Sequence, residues 1–272
     1  MQLQDKVALI TGAGSGIGKA MALEMAREGA NIVVNDVTSS AAETTAHEVE
    51  AAGRQALSLP ADVSDSAQVN QMVETAQSQF GQIDILVNNA GIYIPQDGGF
   101  TNISDDAWER ILAVNLNGPF YCSRAVVKDM MGRKKGGKII NISSVQAEVA
   151  HFDASAYQPS KAALVMLTRT LAVELAPFKI NVNAIGPGAI ASEGMGASLS
   201  PEIIEAYRNR IPWGARGYTR DVATVAVFLA SEAARYVTGQ IVYVDGGYLS
   251  DSTPTELKSQ EHPVPPDDPD PK

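Results

Sequence analysis

Short runs of apolar, often β-branched residues alternate along the chain with longer segments whose apolar positions recur at helical spacing. The short runs predict strands at residues 7–11, 31–36, 55–59, 83–87, 138–142, 180–185 and 240–244. The longer segments predict helices at residues 16–28, 39–52, 66–79, 104–116, 118–131, 156–175, 200–209 and 219–230. Such alternation is typical of βαβ units with a parallel sheet, and strands that are apolar almost throughout are typical of a sheet covered on both faces.

One domain accounts for most of the chain, because no change in composition interrupts residues 1–250. We predict that this stretch is a single Rossmann-type α/β domain, a doubly wound parallel sheet of about seven strands with helices on both faces. Residues 251–272 contain six prolines and six acidic residues but few apolar ones. Because such a segment buries too little apolar surface to offset its ordering entropy, we expect a disordered acidic tail. The alternative is a tail that covers a neighbouring subunit near its active site.

Charge and cysteine content exclude several classes of partner. The formal net charge of −10 argues against nucleic acid and anionic membrane surfaces, since both repel acidic proteins. The single cysteine, Cys122, cannot form an intramolecular disulfide, and the three scattered histidines give no metal-binding pattern. The apolar run at residues 7–10 is too short for a signal peptide or a membrane span. We therefore expect a cytoplasmic protein that acts on a small molecule without a metal.

A glycine-rich turn connects the first predicted strand to the first predicted helix. It reads Thr11-Gly12-Ala13-Gly14-Ser15-Gly16-Ile17-Gly18. Glycines allow the backbone to turn tightly and to approach a pyrophosphate, and the helix N-terminus directs amide N–H groups toward it. The turn therefore predicts a dinucleotide site, with contacts from Gly12, Gly14, Ser15, Gly16, Ile17 and Gly18.

The second predicted strand ends in an acidic residue, Asp36, about twenty residues beyond the glycine turn. A carboxylate at this place can accept hydrogen bonds from both hydroxyl groups of the adenosine ribose, and it repels a 2′-phosphate. Val37 and Thr38 follow instead of a basic residue, and the glycine turn contains none before Lys19. These features predict NAD as the preferred cofactor over NADP.

Tyr157 and Lys161 stand four residues apart at the start of a predicted helix and therefore share one of its faces. An ammonium group stabilises phenolate, so we expect Lys161 to lower the pKa of Tyr157 from its usual value of about 10. Strand 138–142 ends in Ser143 and Ser144 at the carboxyl edge of the sheet, where open parallel sheets bind ligands. A serine hydroxyl there can polarise a substrate oxygen while Tyr157 moves the proton.

These motifs, together with the segment Asn88-Asn89-Ala90-Gly91, resemble the short-chain dehydrogenase/reductase family over about residues 5–249. The resemblance implies an NAD(P)-dependent enzyme that transfers a hydride between nicotinamide and an alcohol or carbonyl carbon. Tyr157 would be the catalytic acid–base group, and Lys161 would lower its pKa and bind the nicotinamide ribose. Ser144 would hold the substrate oxygen, and Asn115 would anchor a proton-relay water.

The resemblance also implies further cofactor contacts and an assembly. Family members bind adenine, back the cofactor and embrace the nicotinamide amide at positions that correspond here to Asp62, Val63, Asn89, Ala90, Gly91, Pro187, Gly188, Ile190 and Ser192. Ser192 departs from the threonine that the family usually has there. Because the family is mostly tetrameric or dimeric, a homotetramer or homodimer is implied, packed through the helices near 104–131 and 156–175.

The substrate is less well determined by the sequence. Residues 142–148 and 183–190 resemble the glucose 1-dehydrogenase branch of the family, and loop 145–156 is rich in polar side chains that suit a polyhydroxylated ligand. The candidate substrate contacts are Ser144, Gln146, Glu148, His151 and Tyr157, with Glu193 as a further candidate, although these polar groups could also simply face solvent. We therefore expect an aldose 1-dehydrogenase or polyol dehydrogenase. The alternatives are a 3-oxoacyl thioester or general ketone reductase and, more remotely, a cofactor-binding regulator without turnover.

Overall fold

Seven parallel strands form the central sheet of the computed structural model, which describes residues 1–95, 98–192 and 199–253. The strands in chain order are β1 (Val7–Ile10), β2 (Asn31–Val34), β3 (Ala56–Ser58), β4 (Ile85–Asn88), β5 (Gly137–Ile142), β6 (Ile180–Pro187) and β9 (Ile241–Val244). Between the last two, β7 (Ile190–Ala191) and β8 (Gly217–Tyr218) pair with each other outside the sheet. The order across the sheet is β3-β2-β1-β4-β5-β6-β9, so the chain reverses its direction of progress between β1 and β4.

Helices cover both faces of this sheet. They are α1 (Gly16–Arg27), α2 (Ser39–Ala51), α3 (Ser66–Phe80), α4 (Asp105–Leu112), α5 (Gly118–Arg133), α6 (Tyr157–Leu175), α7 (Pro201–Arg210) and α8 (Thr219–Ala230). Successive strand residues point to opposite faces, so Ile10 packs into a core with α1, α2 and α8, whereas Leu9 packs into a second core with α3, α5 and α6. Because both faces are covered, the strands are mostly apolar, and the polar strand residues Asn88, Asn141 and Asn183 are buried. The predicted doubly wound α/β fold is confirmed.

The helix predicted over residues 104–116 is wrong at its end. Helix α4 stops at Leu112, and one π-helical turn, Ala113–Asn117, leads directly into α5. The N–H of Gly118 donates to the carbonyl of Ala113, and Pro119 has no N–H with which to continue the α-helical ladder. This replacement of a regular turn puts Asn115 in a π-turn, a distortion that is frequent at functional sites.

Some expectations concern residues outside the described ranges. Glu193 and the tail from residue 254 onward are among these. Among the described helices, none combines the length and hydropathy that a membrane crossing requires. Within the described ranges, no three His, Cys, Asp or Glu side chains form a group suited to a metal ion.

Candidate active site

A cleft of about 920 Å³ opens at the carboxyl ends of the central strands, where the sheet order reverses. This volume lies in the range of small-molecule and cofactor sites, and the place is where doubly wound sheets bind ligands. The predicted site residues that line the cleft are Gly12, Ser15, Gly16, Ile17, Gly18, Asp36, Asp62, Val63, Asn89, Ala90, Gly91, Ser144, Gln146, His151, Tyr157, Lys161, Pro187, Gly188, Ile190 and Ser192. Three predicted residues, Gly14, Asn115 and Glu148, are not among the lining residues of the described chain.

The glycine turn is held against the end of β4 at a distance that no side chain would allow. Gly12 has a φ of 61°, and a Cβ there would lie 2.9 Å from the Cα of Ala90. A Cβ on Gly18 would collide with the carbonyl oxygen of Gly12. The side chain of Asn89 donates to the carbonyl oxygens of Thr11 (2.8 Å) and Gly12 (3.0 Å), so it supports the turn from below. The turn thus presents open backbone to the cleft, which fits a pyrophosphate.

Asp36 is oriented by the backbone on both sides. One carboxylate oxygen accepts from the N–H of Gly14 and the other from the N–H of Thr38, each at 3.0 Å. A Cβ on Gly14 would lie 2.8 Å from the carboxylate, so this glycine acts by letting Asp36 approach rather than by lining the cleft. The nearby Lys19 forms an ion pair with Glu48 at 2.8 Å. The carboxylate keeps lone pairs for ribose hydroxyl groups.

Asp62 forms a polar cluster at the same end of the cleft. One carboxylate oxygen accepts from the N–H (2.9 Å) and the hydroxyl (2.7 Å) of Ser64, and the other accepts from Arg110 at 3.0 Å. Burial raises the pKa of Asp62, but the hydrogen bonds from Ser64 and Arg110 outweigh it and hold the pKa below its ordinary value. Asp62 is therefore ionised at neutral pH. No motif in the sequence pointed to Arg110, which reaches the cleft from α4.

Tyr157 and Lys161 begin α6, and both side chains are buried at the end of β5. The Lys161 Nζ lies 5.6 Å from the centre of the Tyr157 ring and donates to the carbonyl oxygen of Ile142 at 2.9 Å. Burial lowers the pKa of Lys161 to about 8. Burial also raises the pKa of Tyr157, and the side-chain hydrogen bond with Ser144 only partly offsets this rise.

The expected depression of the Tyr157 pKa by Lys161 is therefore not what the structure shows. Burial destabilises the phenolate form of Tyr157 by more than the hydrogen bond with Ser144 stabilises it. Burial also destabilises the ammonium form of Lys161. The spacing of the two residues on one helix face predicted their proximity. It did not predict the depth at which they lie, because depth depends on what packs over them.

The two serines at the end of β5 have different partners. The hydroxyl of Ser143 donates to the carbonyl oxygen of Lys161 at 3.0 Å, so this side chain joins the sheet to α6. The hydroxyl of Ser144 hydrogen-bonds with Tyr157 and accepts from the N–H of Gln146 at 3.1 Å. Of the two serines, Ser144 lies beside the phenol.

Asn115 is fully buried behind the cleft wall. Its amide oxygen accepts from the N–H of Ile92 (2.8 Å), and its amide nitrogen donates to the carbonyl oxygen of Ile92 (3.0 Å) and to Ser160 (3.1 Å). Because Pro119 has no N–H, it cannot donate to the main-chain carbonyl of Asn115 as the fourth residue on would in an α-helix. The side chain fixes the segment after β4, and the carbonyl can accept from a water.

The polar candidates in loop 145–156 divide between cleft and surface. Gln146 lines the cleft, and its buried amide oxygen has no hydrogen-bond partner among the described residues. His151 lies at the exposed rim, and its Nδ1 donates to the carbonyl oxygen of Phe152 at 2.8 Å. Glu148 accepts from the hydroxyl of Tyr243 at 2.6 Å and does not line the cleft, so the structure does not place it with the other substrate candidates.

Sequence reasoning missed an aromatic and basic group at the cleft end beside Tyr157. Tyr93 packs edge-to-face on Tyr157, with ring centres 5.7 Å apart at 88°, and its hydroxyl donates to the carbonyl oxygen of Asp153 at 3.0 Å. Other lining residues that carried no sequence motif are Tyr207, Arg210, Arg216 and Tyr248. Only the fold brings these positions together, because they come from the segment after β4, from α7 and from the turns near residues 216 and 248.

Comparisons with known proteins agree with this geometry. The family model described as Enoyl-(Acyl carrier protein) reductase matches residues 12–249. The 3-oxoacyl-(acyl-carrier-protein) reductase FabG of Staphylococcus aureus (strain Mu50) is 40% identical over 243 residues, which cover 89% of this chain and 97% of the relative.

Solved structures with other substrates share the fold. A gluconate 5-dehydrogenase from Burkholderia cenocepacia in complex with NADP and tartrate has a TM-score of 0.87 and 36% identity, covering 92% of this chain and 97% of that one. A 7α-hydroxysteroid dehydrogenase complexed with NADH and 7-oxo glycochenodeoxycholic acid has a TM-score of 0.86 and 36% identity, covering 90% and 95%. The chain belongs to the short-chain dehydrogenase/reductase family of nicotinamide-dependent oxidoreductases, which act on CH–OH and carbonyl groups.

Proposed function

We propose that this protein is an NAD-linked dehydrogenase of a small polyhydroxylated alcohol, such as an aldose or a polyol, and reduces the corresponding carbonyl in the reverse direction. The observation that carries the proposal is the buried cluster of Ser144, Tyr157 and Lys161 in one cleft with the glycine turn. A bound nicotinamide supplies or accepts the hydride. The residues of the chain bind the substrate oxygen and move its proton.

The proton travels through Tyr157. In oxidation, the phenolate oxygen takes the proton of the substrate hydroxyl as the carbon gives up its hydride, and the products are a carbonyl and a neutral phenol. In reduction, the phenol returns this proton to the carbonyl oxygen. The hydroxyl of Ser144 hydrogen-bonds with Tyr157 and can bind the same substrate oxygen. For an aldose, the oxidised carbon is C1 and the product is a lactone.

In our proposal, Lys161 assists the proton transfer by stabilising the phenolate form of Tyr157. Its ammonium group has three N–H donors, of which one is used by the carbonyl oxygen of Ile142. The remaining donors and the positive charge are available to a phenolate at Tyr157 and to a ribose hydroxyl. Asn115 is a positioning residue, because it touches Ile92 and Ser160 rather than the space of the cleft.

The preference for NAD rests on Asp36. Its ordered carboxylate faces the adenosine end, where a 2′-phosphate would add a second negative charge. The relatives do not settle the question, because one solved neighbour contains NADH and another contains NADP. The proposed contacts are the glycine turn, Asp36, Asp62-Val63, residues 89–91 and residues 187–192.

A polar ligand is favoured by the cleft itself. Gln146 offers a buried amide oxygen that no residue of the described chain satisfies, and a neighbour of similar fold is named a gluconate 5-dehydrogenase. The second candidate is a 3-oxoacyl thioester reductase, which is favoured by the 40% identity to the S. aureus reductase of that name. Asp36 speaks against NADPH, and the net charge of −10 speaks against docking of an acidic carrier protein.

A panel of aldoses, polyols, secondary alcohols and acetoacetyl thioesters, each with NAD and NADP, tests the proposed reaction. We expect turnover of polyhydroxylated substrates with NAD, and Tyr157→Phe should lower kcat by about 10²- to 10⁴-fold while binding NADH normally. The readouts are NADH absorbance and a fluorescence titration. Tyr236→Phe, at a tyrosine that is 94% exposed, is the matched control. Turnover of thioesters with NADPH but of no sugar would replace the first candidate with the second.

Deprotonation of Lys161 should cause the alkaline fall of kcat/KM for carbonyl reduction. Below its pKa of about 8 the side chain is an ammonium that supports proton donation by Tyr157, and above it the charge is lost. Since kcat/KM follows the free enzyme, we expect kcat/KM for carbonyl reduction to fall above about pH 8. Lys161→Arg keeps its charge and should lose this alkaline fall, even if its rate is lower. A profile that stays level through the alkaline range would contradict the assignment.

Asp36→Ala should narrow the preference for NAD. Removal of the carboxylate takes away charged hydrogen bonds to the ribose and the repulsion of a 2′-phosphate, so the ratio of kcat/KM for NAD over NADP should fall by about 10- to 100-fold. Asp106→Ala removes the same charge from the exposed start of α4 and is the control. An unchanged ratio in Asp36→Ala would remove Asp36 from cofactor selection.

Self-association is a further part of the proposal, as a homotetramer or homodimer. One face of α6 exposes Met166 (57%) and Val173 (77%), and α5 exposes Phe120 (42%), so apolar area is uncovered on both helices. We expect a particle of two or four chains in light scattering, and Val173→Glu should shift it toward a smaller species. A monomeric wild type at micromolar concentration would contradict this assembly.

A further inference from the structure

Charge is unevenly divided along the cleft. Among the described lining residues, the carboxylates are Asp36 and Asp62, and both lie at the adenosine end beyond β2 and β3. Arg110, at that end, is paired with Asp62. The other basic side chains that line the cleft are Lys161, Arg210 and Arg216, together with His151 at the rim. In the described residues, therefore, no lining carboxylate faces the cations at the substrate end.

Two of these three cations already have strong partners. Lys161 donates to the carbonyl oxygen of Ile142 and sits beside Tyr157. Arg210 stacks on the ring of Tyr248 at 4.7 Å, donates to the carbonyl oxygen of Asp251 at 2.9 Å and lies 3.8 Å from its carboxylate. Arg216 differs, because its Nη1 is buried and no described residue accepts a hydrogen bond from it. A buried charged donor without an acceptor is costly, which calls for an explanation.

The backbone places Arg216 next to the segment that follows β6. Gly217, the first residue of β8, pairs with Ile190 and donates to the carbonyl oxygen of Ala189 at 3.0 Å. This segment is where the nicotinamide amide is expected, so Arg216 enters the cleft at the nicotinamide end. Its guanidinium belongs to the part of the cleft in which the reaction would occur.

Several tyrosines line the same cleft as Arg216 and Tyr157. The Tyr93 ring packs on Tyr157. Burial, Asp153 and Tyr207 raise the pKa of Tyr93. Burial and Tyr248 raise the pKa of Tyr207, and the positive charge of Arg216 partly offsets that rise. The electrostatic coupling of Arg216 to Tyr207, and of Tyr207 to Tyr93, places the guanidinium in the same region of the cleft as Tyr157.

We propose that Arg216 forms an anion subsite at the nicotinamide end of the cleft, and that the substrate is a hydroxy acid or oxo acid whose carboxylate binds there. The inference rests on the proposed function and narrows its substrate class to hydroxylated compounds, or the corresponding carbonyl compounds, that also carry a carboxylate. A guanidinium pairs with a carboxylate through two parallel N–H···O bonds. A phosphate dianion calls for a second free cation, and the nearest one on α7, Arg210, is held by Asp251.

Pairs of substrates that differ only in charge test the subsite. The probes are acetoacetate, 4-oxopentanoate and 5-oxohexanoate, each beside its primary amide, and gluconate beside gluconamide. The different chain lengths sample different distances between the reacting carbon and the carboxylate. We expect the wild type to prefer at least one acid over its amide. Arg216→Met should lower the ratio of kcat/KM for that acid over kcat/KM for its amide by about 10- to 100-fold.

Two further variants separate the subsite from a general effect of charge. Arg216→Lys keeps the charge but not the paired geometry, so it should restore part of the acid preference. Arg220→Met removes the same charge from the surface of α8, where Arg220 lies 3.7 Å from Glu24, and should behave as wild type. An acid preference that survives in Arg216→Met, or equal use of acids and amides by the wild type, would overturn the proposal.

Two further measurements distinguish the carboxylate subsite from a cofactor contact and from a phosphate site. NADH affinity, followed by fluorescence, should be the same in Arg216→Met, and a weakened affinity with an unchanged acid-to-amide ratio would make Arg216 a cofactor contact instead. Glucitol 6-phosphate beside glucitol is the phosphate arm, and an Arg216-dependent preference for the phosphate would overturn the carboxylate assignment.

Failure of the proposed reaction would be visible separately. If no substrate turns over, the proposed function is wrong, but the subsite can still be measured by calorimetry of the same oxo acids on the NAD-loaded protein, a pair that cannot react. Acid binding that exceeds amide binding and disappears in Arg216→Met supports the subsite. Equal binding of acid and amide overturns it.

Discussion

The hydrogen bond from the Lys161 ammonium to the last carbonyl of β5 is the interaction on which the site depends. It ties the first turn of α6 to the carboxyl edge of the sheet, and the hydroxyl of Ser143 adds a second tie to the backbone of Lys161. With this turn held, Tyr157 stands beside Ser144. The cost is a cation removed from water, which the structure shows as a lowered pKa of Lys161. A buried lysine whose pKa is lowered toward neutrality is typical of sites that perform acid–base chemistry.

The opposite wall of the cleft is built from backbone rather than from charge. Thr11, Gly12 and Asn89 join the end of β1 to the end of β4, and the absence of a Cβ at Gly12 permits this contact. Asn115 performs a comparable task from a π-turn by binding both backbone groups of Ile92. Because Asn115 also donates to Ser160 of α6, its side chain links the segment after β4 to the helix that carries Tyr157.

Relatives with acyl, sugar-acid and steroid names share this framework at 36% to 40% identity. A common fold and catalytic geometry therefore select the type of reaction, and the substrate is selected by side chains that carry no motif. In our proposal those side chains come from the segment after β4, from loop 145–156, from α7 and from the turn before β8, and they include Tyr93 and Arg216.

The sequence alone determined the order of elements and the two-sided sheet, and most of the positions that it predicted for cofactor binding and proton transfer line one cleft. These features follow from local spacing: apolar runs of strand length, a glycine turn before a helix, and a tyrosine and lysine one helical turn apart. Tertiary structure decided the rest. The raised pKa of Tyr157 depends on burial, and the position of Glu148 depends on Tyr243. The same holds for Arg216, whose significance lies in the absence of an acceptor for its Nη1 among the described residues. Burial and missing partners are properties of distant segments brought together, and no spacing along the chain encodes them.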